Sequence, residues 1–249
     1  MILEDSYISF VNLDSRKDRL VRMENTLATA GLHAVRTRGM LPEEYQDSPD
    51  RIRCMLRRPQ KGAIGCHFSQ VKIMQTALQL NRHAFVMEDD LVICSDFQKR
   101  MAWIEAWSWS NQWDVLWMGA TFHVNPPWWH KDDLGRDAET TDVPNMMRTY
   151  GAFSTHAYIV HRDSIEKILS MIEDVLPESM GIDWAFIQIQ PKLRTFSFVP
   201  GMMIQYDNQS NIGKGMTMFS NFKKLGPYWF QNLMTDFDPK TFNWHECQR

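Results

Sequence analysis

Apolar and polar positions switch between two periods along this chain. Tyr7 to Asn12 (Y-I-S-F-V-N) is rich in aromatic and β-branched residues, which predicts a strand. Leu20, Met23, Leu27 and Ala30 then recur at helical spacing. Ser15 and Asp18 ahead of them have the Ser-x-x-acid form of a capping box, and Gly31 is a natural stop. Leu41 to Gln60 is polar, charged and Pro-containing and reads as a long loop. A second helix is predicted from Gly62 to near Asn81, with Ile64, Phe68, Val71, Met74, Ala77 and Leu78 mostly on one face. His83 to Met87 (H-A-F-V-M) follows as a buried strand, Asp96 to Trp107 as a helix and Asp114 to Met118 as another buried strand. Thr155 to Val160 (strand), Asp163 to Val175 (helix), Asp183 to Gln190 (short helix) and Thr195 to Val199 (strand) continue the alternation. Strands alternating with helices predict an α/β fold with a mostly parallel central sheet. Between them, Val124 to Met147, with Pro126-Pro127-Trp128-Trp129-His130, has no clear period and reads as a mobile loop over a site.

Composition narrows the class without choosing a function. The chain has 249 residues, 44% apolar and 23% charged, which suits one soluble domain over 1–249, with about 215–249 as a candidate acceptor-side extension. The net charge of -3 selects no partner. Ten Trp and seventeen Met are many for this length; they serve a core or line an acceptor cleft. Cys54, Cys66, Cys94 and Cys247 form no C-x-x-C pair, which argues against zinc and fits a reducing compartment. With no secretory leader and no long apolar run, a cytoplasmic location is expected. There is no G-x-x-x-x-G-K-[ST] loop and no G-x-G-x-x-G fingerprint.

The candidate chemistry sits at Glu88-Asp89-Asp90, directly after a buried strand. Ligands of open α/β sheets collect at the carboxyl ends of strands. Three adjacent carboxylates repel one another and lose hydration there, and a divalent cation would relieve that cost. Hard oxygen ligands suit Mn²⁺ or Mg²⁺. The competing reading is a solvated acidic turn. Asp90 is the expected direct metal ligand, with Glu88 beside it.

Four ordered segments resemble the family 25 glycosyltransferases, which build outer sugars of lipopolysaccharide and galactosylate collagen. They are Val11-Asn12-Leu13-Asp14 with Arg16 and Asp18-Arg19; Gly62-Ala63-Ile64-Gly65-Cys66-His67-Phe68-Ser69; Met87-Glu88-Asp89-Asp90; and Gly151-Ala152-Phe153 through Ala157-Tyr158-Ile159-Val160, on to Asp183-Trp184. A weaker tail runs from Pro200 to Ile212. Ala63 replaces an acidic residue of the family pattern, Gln70 a frequent His, and Asn211 an Asp.

The resemblance implies a GT-A type nucleotide-sugar-binding fold, a UDP-sugar donor, a divalent metal and inversion at the sugar carbon. Inversion requires one base to deprotonate the acceptor hydroxyl, and Asp183, at the start of a predicted helix, is the candidate. Asn12, Leu13 and Arg16 would hold the nucleotide, and Gly62 and Gly65 would let the second helix approach the donor. Asp89 is a donor contact or a supporting group. Arg19 reads as structural, paired with an acid on its own helix; Cys66 as packing, His67 as an ordinary helix residue and Ser69 as a core hydroxyl.

Arg51, Arg53, Arg57, Arg58 and Lys61 cluster before the second helix. They form a solvated face, or a patch for an anionic acceptor with Arg57, Arg58 and Trp184 as contacts. A saccharide such as lipopolysaccharide core is the expected acceptor; hydroxymethylated bases of phage DNA, with stacking from Tyr228-Trp229-Phe230 and charge from Lys223-Lys224, are the alternative. A relative that binds a nucleotide-sugar or a partner without catalysis is the reading from a different class.

Overall fold

The computed structural model describes residues 1–58, 61–108, 112–123, 138–143, 146–153, 155–198, 201–205 and 229–231. The chain opens as strand, helix, strand: β1 (Ser6–Asn12), α1 (Lys17–Thr29) and β2 (Val35–Arg38). The predicted cap of α1 does not form. Arg16 occupies the N-cap without a side-chain bond, and its guanidinium pairs with Asp18 instead. Nor is Leu41 to Gln60 a plain loop. It contains 3-10 turns at Pro42–Glu44 and Pro49–Ile52 and the short helix α2 (Arg53–Leu56). Prolines at the first helical positions explain this, because their fixed φ suits a helix start that polarity alone does not reveal.

Next come α3 (Gly62–Gln79), β3 (His83–Glu88), β4 (Leu91–Ile93), α4 (Phe97–Ser108), β5 (Val115–Trp117) and β6 (Thr121–His123). They are followed by β7 (Ala138–Thr140), β8 (Met146–Thr149), β9 (Ala157–Val160), α5 (Ile165–Val175), α6 (Ile182–Ile189), β10 (Thr195–Phe198), β11 (Met203–Gln205) and β12 (Trp229–Gln231). Residues 124–137, 206–228 and 232–249 lie outside the described residues, so the expectations placed on Trp128-Trp129, Asn211, Lys223-Lys224, Tyr228 and Cys247 fall there.

The main sheet has eight strands in the order β2-β1-β3-β9-β5-β10-β8-β7. β2, β1, β3, β5, β10 and β7 run one way, and β9 and β8 are reversed. The expected α/β fold with its mostly parallel sheet is therefore present. Two small antiparallel ribbons, β4 with β11 and β6 with β12, stand apart from it. Among the described residues no helix is long and apolar enough to cross a membrane.

Side-chain alternation along the strands divides the core into two layers. Phe85 and Met87 of β3 face α1 and α4, meeting Met23, Leu27, Phe97 and Met101. Ala84 and Val86 face α3, α5 and α6, meeting Ile73, Trp117, Ile168 and Phe186. Covering both faces is what allows an uninterrupted apolar run such as H-A-F-V-M to be a central strand. Trp107, Trp113 and Trp117, with most of the described methionines, are buried in these layers.

Candidate functional site

The sheet register brings the first and third of the resembling segments together. β1 and β3 are parallel neighbours, with Val11 opposite Glu88. Asn12 and Asp89, the next residue on each, therefore leave the sheet at the same carboxyl edge. A cleft of about 310 Å³ opens there, lined by Val11, Asn12, Leu13, Arg19, Gly39 to Pro42, Gly62, Gly65, Cys66, Ser69, Glu88, Asp89, Asp90 and Gln205. The donor and metal candidates Asn12, Leu13, Gly62, Gly65, Glu88, Asp89 and Asp90 all line this one space. Arg16 does not; its carbonyl accepts a hydrogen bond from Asn12 Nδ2 at 3.1 Å. A more open groove of about 650 Å³ between α1 and the start of α4 holds none of the residues assigned to donor, metal or acceptor.

The three carboxylates have different partners. Asp89 is locked: Oδ2 accepts from Asn12 Nδ2 and Oδ1 from Arg19 Nη1, both at 2.7 Å. Arg19 also lies 3.4 Å from Asp90 Oδ2. Arg19 thus answers the acidic turn after β3, not an acid on its own helix, because the register of β1 and β3 sets α1 directly over that turn. Asp89 supports the edge and does not present a free oxygen pair to a donor. Burial pushes its carboxyl up even so, against the opposing pull of Arg19 and Asn12.

Glu88 points inward. Oε1 accepts from Gln70 Nε2 at 3.0 Å and Oε2 from Gln205 Nε2 at 2.9 Å. Gln70 is held in turn by Tyr158, whose hydroxyl donates to its Oε1 at 3.0 Å. Burial raises the Glu88 carboxyl well above its ordinary range, reinforced by the charges of Asp90, Asp183 and Asp89. Cys66 Sγ sits 3.5 Å from Glu88 Oε1, and burial pushes this thiol up as well, which fits the packing role expected of it.

Asp183 begins α6 outside the cleft lining, close enough for its charge to act on Glu88. Its Oδ1 accepts from Thr155 N at 2.8 Å and Thr155 Oγ1 at 3.1 Å. The following residue joins the other side of the site: the His156 carbonyl accepts from Glu88 N at 2.8 Å. Two consecutive residues before β9 therefore tie Asp183 to the acidic turn. Thr155 and His156 carried no sequence signal of their own, since a lone Thr or His is ordinary in any strand or loop, and Gln205 lay in the weaker resembling tail from Pro200 to Ile212 without being assigned a role. Gln70 stood out only as a departure from the family pattern. Trp184, next to Asp183, is half-exposed with its ring edge-on to Phe153.

The wall opposite the acids is built from backbone. A Cβ on Gly65 would lie 2.0 Å from the Met40 carbonyl oxygen, so only glycine lets residues 40–42 lie against α3. Ser69 Oγ accepts from Met40 N at 2.8 Å and donates to the Gly65 carbonyl at 2.6 Å, which pins the same segment. The close approach made by Gly65 is thus to protein backbone, and it shapes the cleft from behind. His67, expected as an ordinary helix residue, is buried and touches the Gly181 backbone; burial holds its imidazole at about 4.

Two of the five side chains of the basic stretch are paired with acids. Arg51 pairs with Asp47 and Glu173, and Arg53 with Glu178. Arg58 Nη1 donates to the Met180 carbonyl at 2.9 Å. Arg57 and Lys61 are exposed. These contacts brace the chain between α5 and α6, immediately ahead of Asp183.

Among the described residues no three His, Cys, Asp or Glu side chains stand together as a metal cage. Glu88 and Asp90 nevertheless converge as a pair, since Gln205 Nε2 donates to Glu88 Oε2 at 2.9 Å and to Asp90 Oδ1 at 3.2 Å. Two convergent carboxylate oxygens beside an open cleft fit Mn²⁺ or Mg²⁺, ions that complete their shells with phosphate oxygens and water.

A family model described as Glycosyltransferase family 25 (LPS biosynthesis protein) matches residues 6–184. A search of curated proteins returns no match. Among solved structures, a glycosyltransferase involved in the glycosylation of the major capsid of PBCV-1 is similar: 13% identity over 82% of this chain and 94% of that chain, with a TM-score of 0.42.

Proposed function

The chain belongs to glycosyltransferase family 25, and on that premise we propose that it moves a sugar from a UDP-sugar to an acceptor hydroxyl with inversion, holding a divalent ion through Asp90 and Glu88. The observation that carries this reading is the gathering of Asn12, Leu13, Glu88 and Asp90 around one cleft at the strand ends, with Asp183 electrostatically coupled to it.

Each residue has a part that follows from its place. Leu13, Met40, Leu41 and Pro42 line a part of the cleft that would take the base and ribose of the donor. Asn12 cannot turn freely, because its amide is held between Asp89 and the Arg16 carbonyl; it keeps the acidic turn in register with that part of the cleft. Arg16 lies outside the cleft lining with its guanidinium on Asp18, and to meet the donor phosphates it would have to leave that pair. When bound, Mn²⁺ or Mg²⁺ would neutralise the charge that develops on the departing nucleotide.

Asp183 would take the proton of the attacking hydroxyl. Thr155 fixes its Oδ1, and its position in the first turn of α6 favours a carboxylate. Trp184 would offer a face to an acceptor sugar beside that base. A saccharide such as lipopolysaccharide core is the acceptor class that the family's description supports.

Thermal shift across a panel of nucleotide-sugars with Mn²⁺ identifies the donor. Metal-dependent hydrolysis of that donor, lost in Asp90→Ala, is the expected result; no turnover with any donor would sink the proposal. Full transfer activity in Asp183→Asn would remove the base assignment while leaving the rest.

A further inference from the structure

Gln205 has no part in the reading above, yet it is the residue that joins the two carboxylates. It comes from β11, more than a hundred residues after the acidic turn, and lies opposite Leu91 of β4 in the small ribbon. Its backbone has little freedom. The Met202 and Met203 amides both donate to the Met118 carbonyl, at 2.6 and 3.1 Å. Gly119 makes that approach possible: a Cβ there would lie 2.0 Å from the Met203 carbonyl oxygen. From this fixed strand the side chain reaches over the acidic turn, and Nε2 donates to Glu88 Oε2 and Asp90 Oδ1 together.

An amide nitrogen satisfies both carboxylates as a donor but neutralises neither. A cation ligated by the same two oxygens needs the space between them, which Nε2 fills. The far side of Glu88 is held separately, by Gln70 on Oε1 and by Tyr158 behind Gln70. Glu88 therefore keeps its place when Gln205 withdraws.

We propose that Gln205 is the placeholder of the metal site: its side-chain amide occupies the cation's position in the metal-free protein, and the ion enters by displacing it from Glu88 and Asp90. This rests on the metal reading of the proposed function. Gln205 keeps the pair gathered while no ion is bound, and it weakens the ion's binding by the two hydrogen bonds that must break.

The test titrates Mn²⁺ alone into the full chain, without nucleotide, and follows loss of the free-ion paramagnetic resonance signal. Gln205→Ala and the shape-preserving Gln205→Met should each bind Mn²⁺ about tenfold more tightly than the unaltered protein, the net worth of roughly one amide–carboxylate hydrogen bond. Their metal-free melting temperatures should fall, and saturating Mn²⁺ should close that gap. If the unaltered protein binds Mn²⁺, Asp90→Asn does not, and both Gln205 variants bind no more tightly than the unaltered protein, the placeholder role is overturned and the metal site stands. If none of these proteins takes up Mn²⁺, the metal site falls and the placeholder with it.

Discussion

Two charged clusters stand out in this chain, and folding treats them in opposite ways. The basic stretch from Arg51 to Lys61 has acids to meet it: Asp47, Glu173 and Glu178 take two of its arginines, and a carbonyl takes Arg58. The acidic turn at residues 88–90 lies at the edge of the core, where among the described residues Arg19 is the cation within salt-bridge reach and the charge of a fourth carboxylate, Asp183, acts on Glu88. A charge run met by acids at the surface acts as a brace. One held beside a cleft largely by neutral amides, as Glu88 and Asp90 are by Gln205, is poised for a ligand of opposite sign. Sequence shows both runs equally well and does not show which of them is answered.

The largest effect that would test this contrast lies in the acidic turn. Asp90→Ala should lower transfer by about a thousandfold, the scale on which a lost electrostatic stabiliser is felt, measured as kcat/KM with the identified donor. A drop of less than about fivefold would make the turn structural. Arg19→Met comes next. It leaves Asp89 buried without its cation and should cost about 3–5 kcal/mol in denaturant unfolding. If the cost is under 1 kcal/mol, the turn is better compensated than its contacts indicate. Gly65→Ala should destabilise by roughly 1–3 kcal/mol, because the added methyl meets the Met40 carbonyl and must push the cleft wall outward. Weaker nucleotide binding should accompany it, as seen by calorimetry.

On the braced side the expected effects are smaller. His67 is held at about 4 by burial, against an ordinary 6.5. Its depressed folded-state pKa means that the stability it supports is complete above about pH 6.5 and is lost as pH falls through about 4. His83 is depressed to about 4 for the same cause, so His67→Asn should flatten this acid-side loss in melting temperature without removing it. Arg53→Ala should change stability by less than about 1 kcal/mol, since both partners of its pair are largely exposed. A cost several times larger in the same unfolding measurement would mean that the brace positions α6, and the contrast between the two clusters would narrow.

Much of the scaffold was legible before folding. The strand at Tyr7 to Asn12, the helix from Gly62 and the buried strand ending at Met87 are where their periods put them. Short elements escaped. β2, with the sequence Val35-Arg36-Thr37-Arg38, has no apolar face of its own and is a strand because β1 offers it hydrogen bonds. The turns within residues 42–56 were hidden by their polarity.

Of the site, the sequence by itself determined the parts that are contiguous: an acidic turn after a buried strand, an Asn-Leu exit from the first strand, and a glycine-spaced helix start. Local order suffices for these, because periodicity and turn chemistry act over a few residues. Only the tertiary structure decided who partners whom. Arg19 reaches Asp89 across 70 residues, and Gln205 reaches Glu88 across 117. Such pairs follow from strand register, which places distant residues on one edge and is set by packing over the whole sheet. The physical reason is burial: once water is removed, each carboxylate must find its partner among whatever side chains the fold has brought within reach.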